Sequence, residues 1–174
     1  VFHCWVLEKR QGEWWIYLQL RSLLKKDYPG DLDITAAGHI GAHETAEEGI
    51  REMDEELGIH VNYGELISLG VIPYCIHTKD IHDAEFAHVF LYKHSGTIED
   101  FEIQREELDG LYATPLHDFL ELIVGSVVSI TVKGYKFVGD TRIDEVRSIM
   151  LNDLGTLPKD YLNPLKELIE KHIK

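Results

Sequence analysis

Between Gly38 and Ile59 the chain reads GHIGAHETAEEGIREMDEELGI, with glutamates at 44, 47, 48, 52, 55 and 56 gathered around Arg51. Wound as a helix, Glu48, Glu52, Glu55 and Glu56 fall within an arc of roughly 100°. Ala46, Ile50, Met53 and Leu57 fall on another side and form a stripe for burial. The pairs Glu48–Glu52, Glu52–Glu55 and Glu52–Glu56 each repel, by a few tenths of a kcal/mol in an isolated helix. Solvent can absorb that cost if the face is a plain acidic surface. A hard divalent cation removes it, because Mg²⁺ takes oxygen ligands and shares them with substrate phosphates.

The flanking elements must hold this segment against a core. Thr45–Leu57 is the expected helix, with Thr45 and Glu48 as a capping box and Gly58 as its stop. Ahead of it, Val1–Leu7 and Trp14–Arg21 read as a hairpin about the polar turn Glu8–Glu13. Ser22–Asp33, with Lys25, Lys26 and Pro29-Gly30, is a loop, and Ile34–Ala37 a short strand. After it come strand-like runs at Leu66–Pro73, Glu85–Tyr92 and Leu108–Thr114 and a short helix at Leu116–Val124. Ser126–Val132 and Tyr135–Val138 read as a hairpin about Lys133-Gly134, and Asp144–Leu154 and Pro164–Ile173 as closing helices. This order predicts an α+β fold in one domain over residues 1–174, with a helical tail from about residue 140. The chain opens directly in a strand, as a sequence lacking an N-terminal segment would.

Composition bounds the partners. With 31 acidic against 17 basic residues the net charge is −14, which repels nucleic acid polymers and anionic membranes. No apolar run approaches the roughly 18 residues of a membrane span. Cys4 and Cys75 lack ligand spacing and read as reduced, buried strand residues of a cytoplasmic protein.

The glutamate segment resembles the Nudix box, written G-x5-E-x7-R-E-U-x-E-E-x-G-U with U aliphatic. Gly38 and Glu44 match its first half, and Arg51 through Ile59 match its second half without a gap. Six residues separate Glu44 from Arg51, one fewer than the pattern, which leaves open whether Glu44 reaches Arg51. The resemblance implies an α/β/α sandwich with a central mixed sheet. It implies Mg²⁺ or Mn²⁺ held by Glu52, Glu55 and Glu56, with Glu85 as a further ligand. It also implies cleavage of a diphosphate linkage in a nucleoside diphosphate derivative or similar small metabolite, by water attack on phosphorus. Arg51 would brace the helix and orient a glutamate. Glu55 or Glu56 is a candidate base beside the metal, and Glu106 or Glu107 sits where some relatives supply that base. A second copy of the chain is the one protein partner left open.

The run Arg21–His39 is similar to a Nudix branch that includes type 1 isopentenyl diphosphate isomerases. That similarity implies Arg21 and Lys25 as diphosphate ligands, chemistry suited to a guanidinium fork beside an ammonium. His39 would be a metal ligand or substrate contact. The isomerases carry a catalytic cysteine where this chain has Ala37, which cannot transfer a proton, so hydrolysis is expected over isomerisation. A binding module without catalysis is the remaining alternative. Selectivity is expected from Tyr74–Asp83 and His94–Arg105, with Trp5, Trp14, Trp15 and Tyr74 available to stack or to fill the core. His43, His77, His82 and His88 show no metal spacing.

Overall fold

The structure, a computed structural model, describes residues 1–77, 82–155 and 157–173. In chain order the described residues form β1 (Phe2–Arg10), β2 (Glu13–Arg21), β3 (Leu32–Ile34), β4 (Ala36–Gly38), α1 (Arg51–Leu57), β5 (Ile67–His77) and β6 (His82–His94). β7 (Leu108–Pro115), α2 (Leu116–Ile123), β8 (Ser129–Val138), β9 (Thr141–Met150) and α3 (Lys159–Glu170) follow.

Strand alternation sets the layers. β1 sends Phe2, Cys4 and Val6 to one apolar cluster and Trp5 and Leu7 to another, and all five are fully buried. A strand apolar on both faces must lie inside a sheet covered on both sides. β1 pairs antiparallel with β2 and parallel with β6. The sheet runs β5-β6-β1-β2-β7-β8-β9, with β3 beside β2 and β4 beside β1. Gln11 and Gly12 close the first hairpin at φ 49° and 88°, the left-handed pair that a tight two-residue turn requires.

Met53 and Leu57 of α1 pack into the Phe2–Cys4–Val6 side. Leu116, Phe119 and Leu120 of α2 join Tyr161, Leu162 and Leu165 of α3 on the Trp5–Leu7 side. One helix on one face and two on the other make the expected α/β/α sandwich around a mixed sheet.

Several elements differ from their sequence expectation. Asp144–Leu154 is not a helix: residues 141–150 are strand β9, paired with β8 from Val138↔Thr141 to Ser129↔Met150. The run RIDEVRSIM satisfies a two-residue period as well as a helical one, and a neighbouring strand settles the choice. The β8–β9 turn falls at Gly139-Asp140, and Gly134 lies within β8 opposite Tyr112. The helical tail therefore reduces to α3, which begins at Lys159 and carries Pro164 inside it. Only residues 51–57 of the glutamate segment are α-helical; Glu48–Ile50 form a 3₁₀ turn, and the reciprocal Thr45–Glu48 bonds close at its entrance and not on the α-helix.

Cys4 is buried, but Cys75 is exposed: beyond the irregularity at Ser68–Gly70 of edge strand β5, Ile72 and Tyr74 face the core, and Val71, Pro73 and Cys75 face outward. The Tyr74–Asp83 segment falls partly on residues 78–81, outside the described residues, and its remainder continues β5 and β6. Trp5 is core, donating its indole N–H to the Tyr161 hydroxyl at 3.1 Å. Trp14 and Trp15 lie under Lys9, Lys93 and Arg10. No helix among the described residues is long and apolar enough to cross a membrane.

Candidate active site

The end of α1 is tied down on two sides. Gly58 sits at φ 66°, letting its N–H reach Asp54 O at 2.9 Å while Ile59 N–H reaches Met53 O at 3.3 Å. The segment between β6 and β7 takes two more terminal carbonyls: Glu102 N–H bonds Leu57 O at 2.9 Å and Gln104 N–H bonds Glu56 O at 3.0 Å. The same bonds bring Gln104 and Glu107 to the acidic side of the helix.

Arg51 works as a brace. Its guanidinium donates to His39 O at 3.0 Å, to Glu48 O at 3.2 Å and to Glu44 Oε2 at 3.1 Å. It also approaches Glu52 at 3.5 Å and Glu55 at 3.8 Å. The short spacer therefore does not separate Glu44 from Arg51, because the 3₁₀ turn at Glu48–Ile50 brings the two back together.

Glu56 is buried and accepts from Ala37 N–H at 3.0 Å and from the Gln19 amide at 3.2 Å. Burial pushes its carboxyl up to about 8, against those two hydrogen bonds and with help from the Glu52 and Asp33 charges. Glu52 is likewise raised, chiefly by burial; Arg51 opposes the shift, and Glu55 and Glu107 add to it. Both carboxylates thus sit where a positive charge would be accommodated and none of their own neighbours fully supplies it.

Glu52, Glu55, Glu56 and Glu107 line one cavity of about 380 Å³, together with Arg21, Lys25, His39, Gln19 and Gln104. Lys25 is in contact with Glu107. Arg21 is held rigid: it pairs with Asp33 at 2.9 Å and donates to Asp27 O at 2.9 and 3.2 Å. A second cavity, of about 290 Å³, adjoins the first and shares Arg21, Lys25, Ala37, Gly38 and His39 with it.

Of the residues expected from sequence, Arg21, Lys25, His39, Glu52, Glu55, Glu56 and Glu107 come together. Arg51 stands behind them. Glu85 does not join the other glutamates; it lines the second cavity, bound to the Tyr74 hydroxyl and 3.4 Å from His39 Nε2. Glu106 bonds the Gln104 amide at 3.2 Å and lies outside both cavities. Sequence reasoning missed Gln19 and His3, although each is a polar residue inside an apolar strand run (IYLQL and FHCWV) and was legible on that ground. Burial pushes the His3 imidazole down to about 3, keeping it neutral.

The donor chemistry of Glu52, Glu55 and Glu56 fits a hard divalent cation: carboxylate oxygens, two of them in positions that disfavour unpaired negative charge. Among the described residues no three His, Cys, Asp or Glu side chains converge at metal spacing. Glu52 and Glu55 lean toward Arg51, and Glu56 toward Ala37 and Gln19, so binding requires these side chains to turn inward.

A mixed sheet between helical layers, with a bundle of glutamates at the end of a short helix, defines a class of domain. The family model described as the NUDIX domain matches residues 1–128, and the chain belongs to the Nudix family. It is 33% identical over 134 residues to an uncharacterized Nudix hydrolase of Clostridium acetobutylicum, covering 77% of this chain and 65% of that protein. The chain thus spans just under two thirds of that relative's length. In fold it is similar to a MutT/nudix family protein of Enterococcus faecalis (TM-score 0.59, 10% identity, 98% of this chain and 60% of the other). It is also similar to the Nudix domain of Shewanella oneidensis NrtR complexed with ADP ribose (TM-score 0.53, 15% identity, 69% and 74%).

Proposed function

We propose that this chain is a Mg²⁺- or Mn²⁺-dependent pyrophosphohydrolase that cleaves a diphosphate linkage in a small metabolite, a nucleoside diphosphate derivative foremost. One observation carries the reading: four carboxylates and three basic side chains line a single cavity, the acids on Glu52, Glu55, Glu56 and Glu107, the bases on Arg21, Lys25 and His39. Family membership and the hydrolase name of the Clostridium relative support it.

Glu52, Glu55 and Glu56 would hold the cation. Bound there, it supplies charge neutralisation for the diphosphate and a more acidic water. The chain's own residues do the rest. Arg21, fixed by Asp33 and the Asp27 carbonyl, presents a preorganised guanidinium to phosphate oxygens. Lys25 adds a point charge, and a diphosphate that draws it away releases Glu107 to accept a proton from water. Arg51 positions Glu52 and Glu55 from behind. Ala37, in the wall common to both cavities, offers no group for proton transfer to carbon, which disfavours isomerase chemistry.

The test is hydrolysis of a panel of nucleotide sugars, dinucleotides, nucleoside diphosphates, CoA and prenyl diphosphates, with and without Mg²⁺, read by chromatography of the phosphomonoester or phosphate products. Glu55→Gln or Glu56→Gln is expected to lose at least about two orders of magnitude. Full activity in both variants would sink the assignment, and ligand binding without turnover would mark a binding module.

A further inference from the structure

The two edges of the sheet are built differently. β5 carries Pro73, which has no N–H, and the irregularity at Ser68–Gly70, both of which discourage a further strand. β9, the opposite edge, has neither device and lies beyond residues 1–128, the span that matches the Nudix family. Its hairpin closes on Val138 and Thr141 through the two-residue turn Gly139-Asp140, with Gly139 at φ 60°. From there the register with β8 runs unbroken to Ser129↔Met150. Hydrogen-bonded and non-bonded pairs alternate along such a ladder, so Asp144, Val146 and Ser148 turn their N–H and C=O groups to the open edge. Val146 is 65% exposed and Ile143 42%. A long, regular edge with apolar side chains is a template for another strand.

We propose that β9 pairs antiparallel with β9 of a second copy of this chain, about a twofold axis at Val146, so that one sheet runs through both. The charges of the strand select that partner and register. β9 reads TRIDEVRSIM, two arginines against two acids, on a chain of net charge −14. With Val146 opposite itself, Arg147 of each copy falls opposite Glu145 of the other, on the same face of the sheet. Ile149 meets Ile143, and Ser148 meets Asp144. Moving the axis by one residue either way puts Glu145 or Arg147 against its own copy. Arg147 lies 5.1 Å over the Tyr112 ring and has no carboxylate partner among the described residues. Glu145 accepts one bond on each oxygen, from Tyr112 at 2.6 Å and Lys136 at 2.7 Å, which leaves it room for a guanidinium. The contact is isologous and uses up the only edge free of Pro73 and the Ser68–Gly70 irregularity, so it closes at two copies. No β9 residue lines either cavity, so the pairing is independent of the hydrolase reading.

The experiment is sedimentation velocity over a concentration series, at about 0.15 M salt to screen the net charge. The parent is expected to reach twice its monomer mass of 20.0 kDa. Val146→Lys sets two like charges together on the axis and is expected to weaken the dimer at least about tenfold. Arg147→Glu and Glu145→Arg should each self-associate equally poorly, because each sets like charges opposite one another. Mixed, the two variants should pair with each other, since every charge then meets its opposite. Circular dichroism checks that the variants fold; if a charge reversal does not, Val146→Lys decides alone. A parent that stays monomeric overturns the proposal, whatever other strand the edge accepts. So does a dimer that Val146→Lys leaves intact, or two folded charge variants that fail to pair when mixed.

Discussion

Gly38 backs directly onto the carboxylate of Glu52: a Cβ at residue 38 would stand 2.0 Å from Glu52 Cδ and 2.1 Å from its Oε1. The glycine that opens the glutamate segment is therefore the space into which one of its acids folds. Because the obstructed atoms are the far end of a long side chain, Gly38→Ala should displace Glu52 and leave the backbone in place. The expected result is a Tm within a few degrees of the parent and Mg²⁺-dependent activity down by at least about tenfold. Global unfolding of the variant, seen by circular dichroism, would show that Gly38 serves the fold instead.

Glu56 makes the stability of the metal-free protein depend on pH. Its folded value of about 8 lies above that of an unfolded glutamate, so the unfolded chain releases this proton first. The contribution is fully present below about pH 4.5 and is lost as pH rises toward 8. In EDTA, Tm should fall across that window by several degrees more in the parent than in Glu56→Gln. Mg²⁺ at pH 8 should restore the parent more than the variant, and equal slopes in the two proteins would refute the assignment.

Lys25 and Glu107 are each about a third exposed, at 33% and 35%, so their contact contributes at most about 1 kcal/mol to stability. Functional loss and structural loss should therefore separate. Lys25→Ala is expected to raise KM for diphosphate substrates by about tenfold, and Glu107→Gln to lower kcat, with Tm nearly unchanged in both. A large fall in Tm would place the pair in the scaffold.

Arg51 joins His39, Glu44, Glu48, Glu52 and Glu55 through one planar fork. A lysine cannot reproduce that geometry. Arg51→Lys is expected to cost on the order of 1–2 kcal/mol and to weaken Mg²⁺ binding, read by denaturation and by metal titration of activity. Unchanged metal affinity would limit Arg51 to holding the loop.

Local spacing made much of this molecule legible. The register Arg51-Glu52-x-x-Glu55-Glu56-x-Gly58 places the acids on one side of a helix and ends it, because those relations span four residues or fewer. The two-face burial of β1 was likewise written in the run FHCWVL. The same sequence could not say that Asp144–Leu154 prefers a strand, since its period is ambiguous and the deciding partner, β8, is a separate segment. Nor could it place Glu85, which β6 carries past the other glutamates to Tyr74 and the second cavity.

Sequence by itself therefore determined the family and the acidic register, both properties of residue type and short spacing. Tertiary structure alone decided that Arg21 and Lys25 face Glu52 and Glu56 across one cavity, and that Arg21, Lys25 and His39 divide it from a second. Those relations join residues tens of positions apart. They follow from which strands pair and how the β6–β7 segment docks on α1, choices made by burial and long-range hydrogen bonds that no local pattern encodes.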